Sequence, residues 1–506
     1  MAIPGKATAE NTHQYTIHFP HLTYNPVGLL GWQVSQAGFG GYRIDKNNST
    51  HEQALRFALQ KGINLVDTSS NYTDGNSERL IGRVLVELSD RGELSRDETV
   101  IVSKAGYLQG FNYALAQQRK QEGRPFPNLI KYAEGLDHCI HPEFLADQLT
   151  RSLERLNLET LDVYLLHNPE YYLMWAKRAH LTREQAQEEY YRRIQQAFVH
   201  LEEEVADGRI QCYGVSSHTF PEPAGHFTFT SLAHLWQIAT NITPDHHFRV
   251  IQAPMNLFET GLATEQNQTQ RQTVLQFAQQ YHLAVLINRP LNAFHHNSLT
   301  RLAHVAMPNY PAPPEDVSTG VDTLLNLEAQ LRTKIVPTLP VSNEQTTFLH
   351  EQLTLGSMLE GHWGGFGTYQ NWLDLRSQFL LPRIQTAVET LSNLENLPVY
   401  TLEWLDEYVE AANITLTAIT AYYQELAARH IAPIWQAAQT ADVDWNAQTL
   451  SQTAVRALRS TEGVTSILVG MRRQEYVQDI LADLQRPVSV ENRMESWQTM
   501  QSWADI

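Results

Sequence analysis

Residues 64–85 read NLVDTSSNYTDGNSERLIGRVL, and their reading decides the fold. The stretch opens in an apolar strand, INLVDTS (63–69). It ends in a helix, SERLIGRVLVEL (77–88), whose apolar residues recur at helical spacing. A turn rich in Ser, Asn, Asp and Gly joins them. Strand, turn and helix make one βα unit, and the unit repeats on both sides. Upstream, VSQAGFGGYRI (34–44) is a strand running into a Gly-rich turn, and HEQALRFALQKG (51–62) is a helix with a Gly stop. Downstream, TVIVSKAGY (99–107), LDVYLLHN (161–168), IQCYGVSSH (210–218), FRVIQAPMN (248–256) and LAVLINRP (283–290) read as strands. PEFLADQLTRSLERLN (142–157), residues 170–207 and TVLQFAQQYH (273–282) read as helices.

Seven strands therefore lie between residues 34 and 287. An eighth, within VTSILVG (464–470), follows the helix SQTAVRALRSTEG (451–463). Short apolar runs separated by helices indicate parallel strands with helical crossovers. Eight such units predict an α/β protein, a (β/α)8 TIM barrel with a large, mainly helical insertion between strands 7 and 8. Strand periodicity alone leaves an open doubly wound sheet as the competing fold. The expected organisation is a tail and short hairpin (YTIHF, HLTY) over 1–27 and barrel strands 1–7 over 28–291. A helical insertion or lid over 292–450 follows, then strand 8 with a C-terminal helix and tail over 451–506. Residues 108–142 read as a polar, Pro-containing loop.

Bulk properties narrow the function classes. The formal charge is 37 − 55 = −18. An acidic surface repels phosphate backbones, which argues against nucleic-acid binding. Two cysteines, Cys139 and Cys212, cannot build a disulfide framework, and a reducing compartment fits them. MAIPGKATAENTHQ at the start has no apolar h-region, and no run reaches the ~18 apolar residues of a membrane span. The expectation is a cytoplasmic protein with no membrane partner.

The chemistry gathers at the strand ends. Asp67 ends strand 2, Lys104 ends strand 3, His167 ends strand 4, and Tyr72 stands in the loop after strand 2. In a barrel these ends converge on one mouth. A tyrosine with its ordinary pKa of about 10 is a poor acid near neutrality, and a nearby ammonium lowers it. Lys104 is expected to do this, held in place by Asp67. His167 is expected to orient a substrate oxygen by hydrogen bonding. Singly, each residue has a plain structural reading: a capping Asp, a loop-anchoring Tyr, a satisfied core His. Their joint placement points to proton transfer at a carbonyl or alcohol oxygen.

These residues resemble a family. VDTSSNY, VSKAGY and RSLERLNLETLDVYLLHNPE together look like the aldo-keto reductase superfamily. So do PVGLLGWQVSQAGFGGYRI, LEEEVADGRIQCYGVSSH and VTSILVGMRRQEYVQDIL. The resemblance covers roughly residues 28–107, 142–294 and 451–482. It implies a barrel that binds a nicotinamide dinucleotide without a Rossmann domain. It implies Tyr72 as general acid/base, Asp67 and Lys104 as its tuning pair, and His167 as the residue that orients a small-molecule carbonyl or alcohol substrate. Gly40, in the GFGG turn, falls near the nicotinamide ribose.

The resemblance also places the cofactor cradle. Ser216, Ser217 and Gln252 fall where the family holds the carboxamide, with Ser217 in place of an amide. Asn288-Arg289-Pro290-Leu291 falls where the family has a stacking aromatic followed by Ser-Pro-Leu, so Arg289 is expected on the pyrophosphate. Gly470-Met471-Arg472-Arg473 falls at the adenosine phosphate. Two arginines there favour NADPH over NADH. Asp479-Ile480 stands where the family closes with Glu-Asn on the adenine. The competing reading is a cofactor-binding barrel with slow turnover that acts as a redox-sensing regulatory or interaction subunit.

Other stretches have weaker claims. The pairs His246-His247 and His295-His296, and the run HCIH (138–141), lack a second cluster at metal spacing, so no metal site is expected. GHWGGFG (361–367) reads as a turn pinned by Trp363 and Phe366, or as a mobile flap. The insertion reads as a lid whose Trp363, Phe366, Tyr369 and Trp372 pack its own core or line a pocket, or as an oligomerisation surface.

Overall fold

A computed structural model describes residues 2–295, 298–395 and 397–504. Eight strands form a closed barrel: β1 (Ala37–Gly40), β2 (Leu65–Asp67), β3 (Val100–Ala105), β4 (Leu161–His167), β5 (Ile210–Ser216), β6 (Phe248–Pro254), β7 (Ala284–Asn288) and β8 (Ser466–Val469). Each pairs in parallel with its sequence neighbours, and β8 closes on β1. The open doubly wound sheet is thereby excluded.

Side chains along a strand alternate between its two faces. Leu65, Val100, Val102, Val163, Leu165, Cys212, Val250, Ala284, Leu286 and Leu468 share one buried cluster, which is the apolar interior of the barrel. Trp32 and Val34, from the segment just before β1, join it. One period beyond these residues, on the same inward face, stand Asp67, Lys104, His167, Gln252 and Asn288. The strand pattern that fills the barrel with aliphatic side chains thus lifts the polar ones to its C-terminal mouth.

The N-terminal segment differs from expectation. Ala9–Ile17 is a helix capped by Thr8, whose hydroxyl accepts from Asn11 N at 3.1 Å, so YTIHF is not a strand. The β-like alternation of YTIHF is overridden because Tyr15 is buried and its hydroxyl donates to Leu59 O. The hairpin of this region is instead Tyr24–Pro26 against Gln33–Ser35. Residues 108–142 are also more ordered than a loop. Gly110–Gln121 is a helix, and Tyr107–Leu108, Ile130–Ala133 and Leu136–His138 form a three-stranded antiparallel sheet.

The chain divides into two compact units, residues 2–303 with 437–504, and His304–Gln436. The second is helical and has a core of its own, built around Leu324, Trp372, Leu391, Tyr408 and Leu416. Trp372 is fully buried there, and Trp363, Phe366 and Tyr369 pack against the same core. Tyr423 pins the 361–367 turn: its hydroxyl donates to Trp363 O at 2.7 Å and accepts from Phe366 N at 2.9 Å. Among the described residues, no helix is long and apolar enough to cross a membrane.

Candidate active site

The buried layer at the mouth of the barrel brings Asp67, Tyr72, Lys104 and His167 together. Lys104 Nζ donates to Asp67 Oδ1 at 2.6 Å and to Thr68 O at 2.8 Å. An unpaired ammonium at this depth would cost several kcal/mol, roughly, so the carboxylate is what permits a lysine here. Burial pushes Asp67 up and Lys104 down, and each partner's charge pulls the other back toward its ionised form. A side chain at Gly106 would press into His167 O, so only glycine lets the chain after β3 pass so close to the end of β4.

Tyr72 lies in a single turn after β2 and is half-buried. Lys104 Nζ sits over its ring, 5.1 Å from the centroid. Tyr42 and His167 pack against the same ring edge-on, at 5.2 Å and 5.9 Å. The expected lowering of the Tyr72 pKa is not what this geometry delivers. Burial raises the phenol well above its ordinary value, and Asp67 and Tyr42 raise it further. The ammonium faces the ring and is committed to Asp67 and Thr68 O. The phenol is therefore held protonated, as a proton donor. Burial, then the charges of Lys104, His218 and His138, hold His167 well below the ordinary histidine value, so its imidazole is neutral.

The positions expected to cradle a carboxamide are hydrogen-bonded to one another. Gln252 Nε2 donates to Asp67 Oδ1 at 2.8 Å, and its Oε1 accepts from Ser216 Oγ and Asn288 Nδ2, each at 3.3 Å. Asn288 Oδ1 is buried with no partner among the described residues. Ser217 turns into a hydroxyl cluster with Thr219 (3.2 Å) and Thr230 (3.3 Å). Arg289 has φ +54° and pairs with Glu259, with its guanidinium over Phe294. Gly40 is buried against the end of β8, and Leu291 O accepts from Leu302 N at 2.9 Å. Ile480 is core and Asp479 accepts from Thr449 and Gln452, so neither is available to an adenine.

Arg472 and Arg473 stand at the N-terminus of the helix Gln474–Leu484, just after Gly470. They form no ion pair among the described residues. Both arginines, after burial, hold His51 below its ordinary pKa, which marks a local positive field.

Several residues at this end of the barrel escaped the sequence reading. Ser69 Oγ lies 3.0 Å from His167 Nδ1. Glu170 is fully buried, accepts from His218 N at 2.8 Å and is pushed up to about 7 by burial. Tyr107 packs edge-on against His167 at 4.6 Å, and its hydroxyl accepts from Asn168 Nδ2 at 2.8 Å. Polar residues flanking each strand end (DTSSNY, HNPE) were the available signal. The HCIH run is consumed by structure. His138 Nε2 donates to His167 O at 2.7 Å, Cys139 is buried, and His141 caps the helix Pro142–Leu156. His247 pairs with Glu202, and His246 is buried against Trp236. His296 lies outside the described residues. Among those residues no group of metal-ligating side chains converges.

Comparison with known proteins adds to this geometry. The sequence profile of the Aldo/keto reductase family matches residues 36–306. The chain is similar to the NADH-specific methylglyoxal reductase of Escherichia coli, 27% identical over 146 residues. It is also similar to a protein of Schizosaccharomyces pombe named for the beta subunit of a voltage-gated potassium channel, 28% identical over 161 residues. These matches cover 29% and 31% of this chain, and 39% and 40% of the relatives. The chain thus spans about two fifths of the length of these curated relatives. Among solved structures, an aldo-keto reductase from Bacillus halodurans in its holo form aligns over 95% of this chain and 96% of its own. The identity is 13% and the TM-score 0.45.

Proposed function

The chain belongs to the aldo/keto reductase family, and from that premise we propose that it is an NADPH-dependent oxidoreductase acting on an aldehyde or ketone, or on the corresponding alcohol. The observation that carries this reading is the buried Lys104–Asp67 pair beneath Tyr72, with His167 edge-on to the same ring. A protonated phenol, a neutral imidazole and a buried ion pair at one barrel mouth are the parts a proton transfer at a substrate oxygen requires.

The residues present fit a nicotinamide dinucleotide. Asn288 Oδ1 is a buried acceptor that a carboxamide N–H would satisfy, next to Ser216 and Gln252. Arg472 and Arg473, with the N-terminal amides of their helix, suit a phosphate, and two free guanidiniums favour the 2′-phosphate of NADPH. Arg289 reaches a pyrophosphate only by leaving Glu259. When bound, the dinucleotide supplies or accepts the hydride. The chain's part is acid–base. His167 holds the substrate oxygen, Tyr72 gives it a proton as the carbonyl is reduced, and Asp67 keeps the Lys104 charge fixed beneath the phenol. Microscopic reversal returns the proton from the alcohol to Tyr72.

A second reading, a slowly turning cofactor-binding subunit that reports redox state to a partner, is favoured by two observations. Two relatives are named for a channel subunit, and Ser217 and Gln252 are engaged within the protein. Titration with NADPH and NADH, followed by cofactor fluorescence, tests both. Tight NADPH binding with carbonyl turnover supports the enzyme, and binding without turnover the subunit. Binding of neither removes both.

A further inference from the structure

A neutral imidazole carries one N–H, and which nitrogen carries it decides whether His167 offers substrate a donor or an acceptor. Its Nε2 has no hydrogen-bond partner among the described residues and keeps contact with solvent. Its Nδ1 lies 3.0 Å from Ser69 Oγ, which is fully buried. Ser69 Oγ is also 2.7 Å from Asn71 Oδ1 and 3.1 Å from Lys104 O. Asn71 Nδ2 in turn donates to Gln109 Oε1 at 3.0 Å. Gln109 is exposed, so the chain Gln109–Asn71–Ser69–His167 runs from the surface to the buried ring.

Ser69 has one proton to give. Two oxygens 2.7 Å apart need a proton between them, because bare lone pairs at that separation repel. Asn71 Oδ1 can only accept, so the Ser69 hydroxyl points at it. Ser69 Oγ then faces His167 Nδ1 with a lone pair, and that contact is a hydrogen bond only if Nδ1 is the protonated nitrogen.

We propose that Ser69 and Asn71 are positioning residues that fix the proton of His167 on Nδ1, so that Nε2 meets the substrate as an acceptor and receives the O–H of a hydroxyl. On the oxidoreductase reading, from which this takes its substrate class, His167 holds the substrate in its alcohol form. Turning both amides by 180° reverses every bond in the chain. Gln109 would then donate to Asn71, Asn71 to Ser69 and Ser69 to Nδ1, which moves the proton to Nε2 and makes His167 a donor to a carbonyl. The direction of this short chain is thus the element that sets alcohol against carbonyl recognition.

The test reads the tautomer in the ligand-free, full-length protein, by two-bond ¹H–¹⁵N correlation after ¹⁵N-histidine labelling. The His167 signals are identified by their loss in His167→Gln. The wild type is expected to be Nδ1–H, and Asn71→Asp, whose carboxylate can only accept, to remain so. Asn71→Leu, at a part-exposed position, leaves Lys104 O at 3.1 Å as the remaining carbonyl acceptor for the Ser69 proton, and is expected to weaken the Nδ1–H preference. Ser69→Ala is expected to abolish the preference. An Nε2–H wild type, or an Nδ1–H preference unchanged in both Ser69→Ala and Asn71→Leu, overturns the proposal. No cofactor enters the measurement, so its failure is separate from failure of the oxidoreductase reading.

Discussion

Lys104 Nζ sits 2.6 Å from Asp67 Oδ1 with the lysine side chain wholly buried and the aspartate 5% exposed, so two opposite charges occupy the top of an otherwise aliphatic barrel interior. Neither charge is tolerable there alone. Asp67→Asn and Lys104→Met are each expected to destabilise the fold by about 3 kcal/mol, the scale for stranding one partner of a buried pair. The double variant Asp67→Asn/Lys104→Met should cost less than the two single changes added together. Urea unfolding of the three proteins checks this, and additive losses would show that the pair is not coupled.

Tyr72→Phe removes only a hydroxyl that has no hydrogen-bond partner among the described residues. Stability is expected to stay within about 0.5 kcal/mol. Turnover should fall by roughly 10²–10⁴-fold, the scale of a lost general acid. NADPH binding should be unchanged. Steady-state kinetics beside a fluorescence titration separates the effects, and retained turnover would remove Tyr72 from the proton path.

Arg472→Ala and Arg473→Ala test the cofactor preference. A charge-assisted hydrogen bond contributes about 1.5–3 kcal/mol, so each change should weaken NADPH binding by roughly 10–100-fold. NADH binding should barely move, because the guanidiniums are assigned to the 2′-phosphate. Equal losses for both cofactors would place the arginines on the diphosphate instead.

Glu170 gives a pH signature of stability. Burial raises its folded pKa to about 7, above the unfolded value of about 4.3. The folded state therefore holds the extra proton between those values. The stabilisation is complete below the unfolded pKa and is lost as pH rises through about 7. Glu170→Gln stays neutral and escapes that loss. Between pH 5 and pH 8 the wild type should lose about 2–3 kcal/mol more than the variant in urea unfolding. Parallel losses would mean that Glu170 is ionised in the folded protein throughout.

The eight strand–helix units and the four residues at the strand ends were legible in the sequence because both rest on local pattern, whereas closure of the strands into a barrel rather than an open sheet was decided by the pairing of β8 with β1. Alternation along LVD, VIVSK and DVYLLH assigns Asp67, Lys104 and His167 to the inward face, and one period sets them above aliphatic neighbours. The turn between strand and helix needs only its own residues to place Tyr72. Where local pattern and long-range docking compete, local pattern misleads. YTIHF alternates like a strand, yet the buried Tyr15 and the Thr8 cap make it a helix. Residues 108–142 look like a loop, yet Ile130–Ala133 pairs with Leu136–His138, and Tyr107–Leu108 joins that pair from the other side.

The sequence by itself determined which residue types crowd the mouth of this barrel. The tertiary structure decided what those residues are bonded to. Gln252 turns to Asp67, Ser217 to Thr230, and Arg289 to Glu259. Lys104 lies over the Tyr72 ring while burial raises the phenol, and Ser69 meets His167 at Nδ1. The physical reason is range. Strand alternation acts between residues two apart, whereas hydrogen-bond direction and desolvation depend on side chains brought together from different strands, here as many as 185 positions apart.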